Sequence, residues 1–291
     1  MKKVFYLFLL IFGYVNAQDL KTYQFYNQKG KEISFAKTVD ILKDYDVVLF
    51  GEYHNNSTIH WLQLKLTEHL YKAKKGNIIL GAEMFERDNQ SGLNKYLKGE
   101  LNDKNLSTEV RLWSNFTTDY KPLLDFAKNN SLPFIATNIP RKYASSVAKN
   151  GLNSLDDLSD SDKLNMVKLP FPLDFNAPGY PEMIEMMGDH AGDKAQQFVA
   201  AQAIKDATMA ESIINNYTKD ILFLHFNGDY HSKQYGGIYW YLKQYNPALK
   251  VAVIQVTETN DPSLKMNLNK KQDFIFTEIL LVLPEDTIKT Y

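Results

Sequence analysis

Two segments of the chain place a histidine three residues after a glycine. They are Gly51–His54 and Gly228–His231, and in each the glycine is expected to let the chain leave a strand. Two neutral imidazoles and a carboxylate are a common ligand set for zinc and for non-haem iron. The sequence therefore predicts a divalent-metal site with His54 and His231, in which Glu52 or Glu83 supplies the carboxylate.

Hydrolysis is the chemistry that such a site would favour. A bound metal ion lowers the pKa of its water, and a nearby carboxylate accepts the proton. Arg141 would stabilise a developing oxyanion or hold a substrate carboxylate. The residues with predicted catalytic roles, if the protein is a hydrolase, are Glu52, Glu83 and Arg141.

Short apolar runs precede most of these residues and are typical of buried strands. The runs are Val47–Phe50, Ile78–Ala82, Phe134–Thr137, Ile221–Phe226, Val251–Val256 and a further edge strand within Phe274–Leu283. Stretches with helical spacing separate all but the last, which predicts an α/β fold with a mostly parallel sheet flanked by helices. Since the carboxyl ends of parallel strands share one edge, the polar residues after the runs should converge there.

Turn formation or helix capping would explain any single polar residue at this edge. Capping needs neither two histidines nor two glutamates on neighbouring loops, so the whole set indicates a site. Gln202 and Asp206 lie four residues apart on a predicted helix from Gly192 to Tyr217, either beneath the edge or on a solvated stripe. The predicted supporting residues are Asn138, Gln202 and Asp206.

The ends of the chain and its middle differ in character from the predicted sheet. Lys2 and Lys3 precede an apolar run that ends near Ala17, which predicts a signal peptide over residues 1–17 and a single domain over residues 18–291. We therefore expect an exported protein, periplasmic or extracellular. Because the chain has no cysteine, lipoprotein anchoring is not expected.

A small helical or irregular cap is predicted over residues 150–192. This segment is rich in proline, aromatic residues and methionine.

Composition restricts the class of protein. Lysine and arginine number 33 against 34 aspartates and glutamates, for a net charge of −1, and 44% of residues are hydrophobic. These values are those of an ordinary globular protein, and they give no support to nucleic-acid binding, which needs basic patches.

Several segments together resemble the ChaN-like haem-binding uptake proteins of the Tiki/erythromycin-esterase-like superfamily. The resemblance covers about Asp46 to Tyr245. The matching segments are Leu49–His54, Gly81–Arg87, Asn138–Arg141, Ala201-Gln202, Asp206–Ser212 and Gly228–His231.

This resemblance implies an α/β fold with a smaller helical part and a role in iron acquisition at the surface or in the periplasm. It implies that haem is bound between two copies of the chain with a tyrosine on the iron, and that an outer-membrane haem receptor is a partner. It also implies that Gly51–His54, Glu83 and Gly228–His231 match the metal-binding residues of the Tiki branch, whose members are metal-dependent proteases, while a related branch hydrolyses macrolide esters.

No motif fixes the position of the haem tyrosine. Tyr180 is the first candidate because the predicted cap surrounds it with phenylalanine and methionine, although such clusters are also typical of a core or a dimer surface. Tyr143 and Tyr235 are further candidates because each follows a segment at the predicted edge. Two functions follow: a haem-binding protein of haem or iron uptake, and a metal-dependent hydrolase of the Tiki-like protease or esterase type.

Overall fold

The structure, a computed structural model, describes residues 20–188, 192–265 and 277–291. The predicted signal peptide, residues 189–191 of the predicted cap and the first residues of the predicted strand at 274–283 lie outside these ranges. Among the helices described, none is both long and apolar enough to cross a membrane.

The described strands form one mixed sheet. They are β1 (Gln24–Asn27), β2 (Glu32–Ile33), β3 (Val47–Glu52), β4 (Ile78–Glu86), β5 (Phe134–Asn138), β6 (Leu222–Gly228), β7 (Val251–Thr259) and β8 (Ile279–Pro284). Their order in the sheet is β2-β1-β8-β7-β3-β6-β4-β5. All neighbours from β8 to β5 are parallel, and β1 pairs antiparallel with β2 and β8. The predicted α/β fold with a mostly parallel sheet is confirmed.

Helices cover both faces of this sheet. They are α1 (Phe35–Leu42), α2 (Ser57–Ala73), α3 (Gln90–Leu97), α4 (Lys121–Asn129), α5 (Arg141–Asn150), α6 (Asp160–Lys163), α7 (Tyr180–Met187), α8 (Asp193–Asn216) and α9 (Gly237–Tyr245). Val48 and Phe50 of β3 pack in the core that includes α2 and α4, whereas Val47 and Leu49 pack in the core that includes α8 and α9. Strands buried on both faces are therefore apolar almost without interruption, as the sequence indicates.

The residues after β7 form strand β8 and then contact the loop between β3 and α2. The prediction of an edge strand here is wrong, because β8 pairs with both β7 and β1. Beyond β8, Ser57 N donates to Ile288 O at 3.3 Å and Thr290 N donates to Asn55 O at 2.8 Å. This C-terminal segment therefore fixes the loop between β3 and α2, the loop that carries His54.

Candidate functional site

Glu83 is aimed by an irregularity in β4. The pairing of β4 with β5 shifts register between Ala82 and Glu86, and shifts of this kind redirect side chains near sites. Asn138, the last residue of β5, donates its side-chain amide to Glu83 O at 3.0 Å. The carboxylate of Glu83 accepts from Gly228 N at 2.7 Å and lies 3.2 Å from His231 Nε2. Three neighbouring strands thus meet at one carboxylate.

His231 is enclosed between two carboxylates. It lies on the short turn after β6, with Glu83 on one side and Asp206 Oδ1 at 2.5 Å from its Nδ1 on the other. The amide of Gln202 lies 2.9 Å from the same nitrogen. Burial alone would lower the pKa of His231, but the charges of Glu83 and Asp206 outweigh burial and raise it to about 10. His231 is therefore a buried imidazolium, and the charge of its ring holds the pKa of Glu83 well below the usual range although burial opposes this.

Gln202 and Asp206 lie beneath the edge, and the alternative of a solvated stripe is wrong. Both side chains are buried and both contact His231 from α8. Burial raises the pKa of Asp206, against the opposing effects of His231 and of the hydroxyl that Tyr180 donates to Asp206 Oδ2 at 2.8 Å.

His54 is held by a buried glutamate. Its Nδ1 lies 2.8 Å from Glu52 Oε1, which also accepts from the hydroxyl of Tyr120 at 2.8 Å, and Gln63 donates to the other oxygen at 2.7 Å. Burial by itself would raise the pKa of Glu52, but the charge of His60 and the contacts with His54 and Gln63 lower it below its ordinary value. Burial likewise opposes protonation of His54, and the hydrogen bond and charges of Glu52 and Glu83 raise its pKa.

The two glycines provide space and do not turn the chain. Gly51 lies inside β3, so the prediction that it releases the chain from the strand is wrong, whereas Gly228 is the last residue of β6. Neither has a positive φ, so neither position requires the left-handed backbone that favours glycine. A Cβ on Gly51 would lie 2.5 Å from Asp229 Oδ1, and a Cβ on Gly228 would lie 2.9 Å from His54 Nε2. Each glycine therefore makes room for a side chain of the other segment.

A cavity of about 380 Å³ opens over these side chains. Its lining includes five residues that the sequence predicted: His54, Glu83, Asn138, Arg141 and His231. Glu52, Gln202 and Asp206 lie behind the two histidines and do not line it. The prediction that polar residues converge at the carboxyl edge describes this arrangement, and the roles assigned to the individual residues stay predictions.

Trp113, Glu86 and Lys205 also line the cavity, and the sequence reasoning missed all three. The helical spacing could have predicted Lys205, because it lies three residues after Gln202 and therefore on the same face of α8. Trp113 stands in a loop without regular structure, and its ring packs edge-on against His54 at 4.9 Å between centroids. No periodicity or motif marks such a residue in advance.

The predicted metal set is not supported by the geometry. No group of three or more histidines, aspartates or glutamates in the described ranges is arranged to hold a metal ion. Both nitrogens of His231 face carboxylates, and Nδ1 of His54 faces Glu52, so the imidazoles and carboxylates pair with each other. The hydrolase hypothesis gains no observation from the structure, and the catalytic roles of Glu52, Glu83 and Arg141 stay predictions.

The three candidate haem tyrosines do not lie together, and each has a carboxylate as partner. The hydroxyl of Tyr180 donates to Asp206, that of Tyr143 to Asp162, and that of Tyr235 to Glu278 at 2.8 Å. Burial first, and these carboxylates after it, raise the pKa of all three phenols. Tyr180 is only 2% exposed. To reach an iron as phenolates, these side chains would have to give up these hydrogen bonds.

The fold and the cleft at the carboxyl edge of its sheet define an α/β protein with a polar, partly enclosed ligand site. A family model described as haem-binding uptake, Tiki superfamily, ChaN matches residues 38–242. The chain belongs to this family. A search of curated proteins gives no match.

The solved structure of one ChaN protein agrees with the fold of this chain. ChaN of Campylobacter jejuni, described with cofacial haem, has a TM-score of 0.68 at 16% sequence identity, covering 92% of this chain and 97% of ChaN. An erythromycin esterase in its open conformation has a TM-score of 0.47 at 10% identity, covering 82% of this chain and 77% of the esterase.

Proposed function

We propose that this protein binds haem and serves haem or iron uptake outside the cytoplasm. The observation that carries the proposal is the family match over residues 38–242. The similar fold of ChaN of Campylobacter jejuni, over nearly the whole of both chains, is in keeping with it. Export rests on the predicted signal peptide alone.

Two exposed apolar side chains, one in the predicted cap and one shortly after it, are candidate contacts for a porphyrin or for a second copy of the chain. Met186 at the end of α7 and Phe198 on α8 expose 73% and 46% of their area. Exposed large apolar side chains commonly mark binding surfaces. This supports a homodimer with haem at its interface, the arrangement that the family resemblance implies. An outer-membrane haem receptor remains the expected partner.

Tyr230 joins the candidates for the iron ligand. Of the tyrosines that the structure describes, only Tyr230 and Tyr291 are exposed, and Tyr230 directly precedes His231. Its ring lies under the ammonium of Lys233, 3.7 Å from the centroid, and no described hydrogen bond holds its hydroxyl. Tyr230 therefore needs less rearrangement to bind iron than Tyr180, Tyr143 or Tyr235.

Titration of the protein with ferric haem tests the proposal. We expect a saturable change in the Soret band and a shift from monomer to dimer in size-exclusion elution. Tyr230→Phe should alter the ferric spectrum. The same substitution at Tyr180, Tyr143 or Tyr235 should leave it unchanged. Absence of a saturable change would overturn haem binding. Saturable binding without a change of elution volume would contradict only the dimer.

A further inference from the structure

Two cations at the cavity have no anionic partner. Arg141 is the first residue of α5, and Lys205 lies on α8 beside Gln202 and Asp206. Within the residues that the structure describes, neither side chain makes an ion pair or a hydrogen bond. The acidic residues of the same cavity are already matched, since Glu83 faces His231 and Glu86 accepts from Arg111 at 2.5 Å.

Arg141 and Lys205 are thus the two cations lining this cavity that have no carboxylate partner among the described residues. His54 is balanced by Glu52 behind it, which leaves Arg141 and Lys205 as the groups free to bind an anion. Charge-assisted hydrogen bonds from arginine or lysine to a carboxylate are among the stronger polar contacts in proteins. Two unpaired cations in one partly enclosed site suit a ligand with two carboxylates.

A second cavity adjoins the first. It has a volume of about 620 Å³, shares Trp113, Glu86 and Arg141 with the first, and is lined further by Met84, Leu112 and Pro140 and by the polar residues Asp88, Arg111, Ser114 and Lys142. The indole of Trp113 therefore lines both cavities. A planar aromatic ligand with acidic groups along one edge would contact this indole and the two unpaired cations.

We infer that Arg141 and Lys205 bind the two propionate carboxylates of haem, with the porphyrin against Trp113. This inference rests on the proposed function and adds to it the place and chemistry of the acidic edge of the ligand. The unpaired cations and the adjoining cavity lined by Trp113 carry it.

Three ligands distinguish the contribution of the propionates to affinity from that of the iron. They are haem, haem dimethyl ester and iron-free protoporphyrin IX. Their binding is measured by absorbance or by quenching of protein fluorescence in one detergent-containing buffer. Haem and protoporphyrin IX, which keep both propionates, should bind the unmodified protein at least tenfold more tightly than the dimethyl ester. Arg141→Gln and Lys205→Gln should each weaken haem and protoporphyrin IX about tenfold and leave the ester unchanged. Lys205→Arg should restore most of the affinity.

Lys149→Gln is the matched control, because Lys149 is an exposed cation on α5 that does not line the cavity. Equal binding of haem and its dimethyl ester, or equal loss in Lys149→Gln and Arg141→Gln, would overturn the inference and leave haem binding intact. Failure of the unmodified protein to bind any of the three ligands would overturn the proposed function as well.

Competition by inorganic phosphate is a second test. Phosphate should compete with haem in the unmodified protein and should no longer do so in the Arg141→Gln, Lys205→Gln double variant. Undiminished competition in the double variant would show that phosphate binds elsewhere.

Discussion

The two Gly-acid-Tyr-His segments, Gly51–His54 and Gly228–His231, end neighbouring strands and yet occupy opposite surroundings. His54 keeps 32% of its side chain exposed to the cavity, whereas His231 keeps only 7%. His54 has one carboxylate as direct partner, and His231 has one on each side. One imidazole is thus open to a ligand, and the other is part of the buried support.

The acidic residues of the two segments differ even more. Glu52 is bound by His54, Gln63 and Tyr120, and its pKa is lowered. Asp229 is also buried, but its carboxylate accepts from Val256 N at 2.9 Å, and burial raises its pKa to about 7. Equal spacing therefore gives one stable carboxylate and one that titrates near neutral pH.

The register of β3 and β6 explains the difference. Gly51 pairs with Asn227 and Glu52 pairs with Gly228, so the two segments are offset by one residue. Glu52 is thus the last residue of β3, whereas β6 ends at Gly228, so Asp229 and His231 already lie on the short turn beyond the strand. Glu52 thereby meets Gln63 of α2, and His231 meets Asp206 of α8.

Alanine substitutions of the two histidines should give the largest contrast. His231→Ala leaves Glu83 and Asp206 buried without their cation and should lower the free energy of unfolding by about 3–5 kcal/mol. His54→Ala should cost about 1 kcal/mol, since Gln63 and Tyr120 still donate to Glu52. Urea-induced unfolding measures both. Similar losses would show that the two histidines share one structural role.

The central strands and the polar edge of the sheet could be predicted from the sequence, but the alignment of β6 with β3 could not. The apolar runs predicted the central strands, and the polar residues after them predicted one edge. The one-residue offset depends on how β6 aligns with β3 in space, so the sequence does not show that Glu52 lies behind His54 or that Gly228 makes room for it. The position of β8 inside the sheet also depends on β1, a strand of four residues that the sequence reasoning missed.

The two acids should respond to pH with opposite sign. Asp229 has a folded-state pKa of about 7 against 3.8 when unperturbed, so it contributes stability below about pH 4 that is lost as the pH rises towards 7. Asp229→Asn abolishes this loss and keeps an oxygen for Val256 N. The free energy of unfolding of the variant, relative to the unmodified protein, should rise by about 2–4 kcal/mol between pH 4 and pH 8.

Glu52→Gln is the counterpart, measured by the same urea titrations. The lowered pKa of Glu52 means that its stabilisation is present above about pH 4.5 and is lost as the pH falls through the folded-state value. The cost of this substitution should therefore be constant from pH 7 down to about pH 4.5 and shrink as the pH falls further. Parallel pH profiles for the two variants would contradict the assignment of one ionised and one neutral acid.

The contact between the segments should give the smallest effect. Gly228→Ala places a Cβ 2.9 Å from His54 Nε2 and should cost about 1–2 kcal/mol, because the imidazole has to move. Removing that imidazole removes the clash. In a double-mutant cycle with His54→Ala, the cost of Gly228→Ala should fall by about 1 kcal/mol, measured by urea-induced unfolding.

Gly51→Ala provides the control for this cycle. Its added Cβ meets Asp229 and the carbonyl of Ile254 and not His54, so its cost should be the same with and without the imidazole. Additivity in both cycles would mean that the strand shifts to relieve the clash at Gly228. Coupling confined to Gly228 and His54 would instead establish that the glycine of the buried segment sets the position of the open histidine, which makes the two segments one site despite their different surroundings.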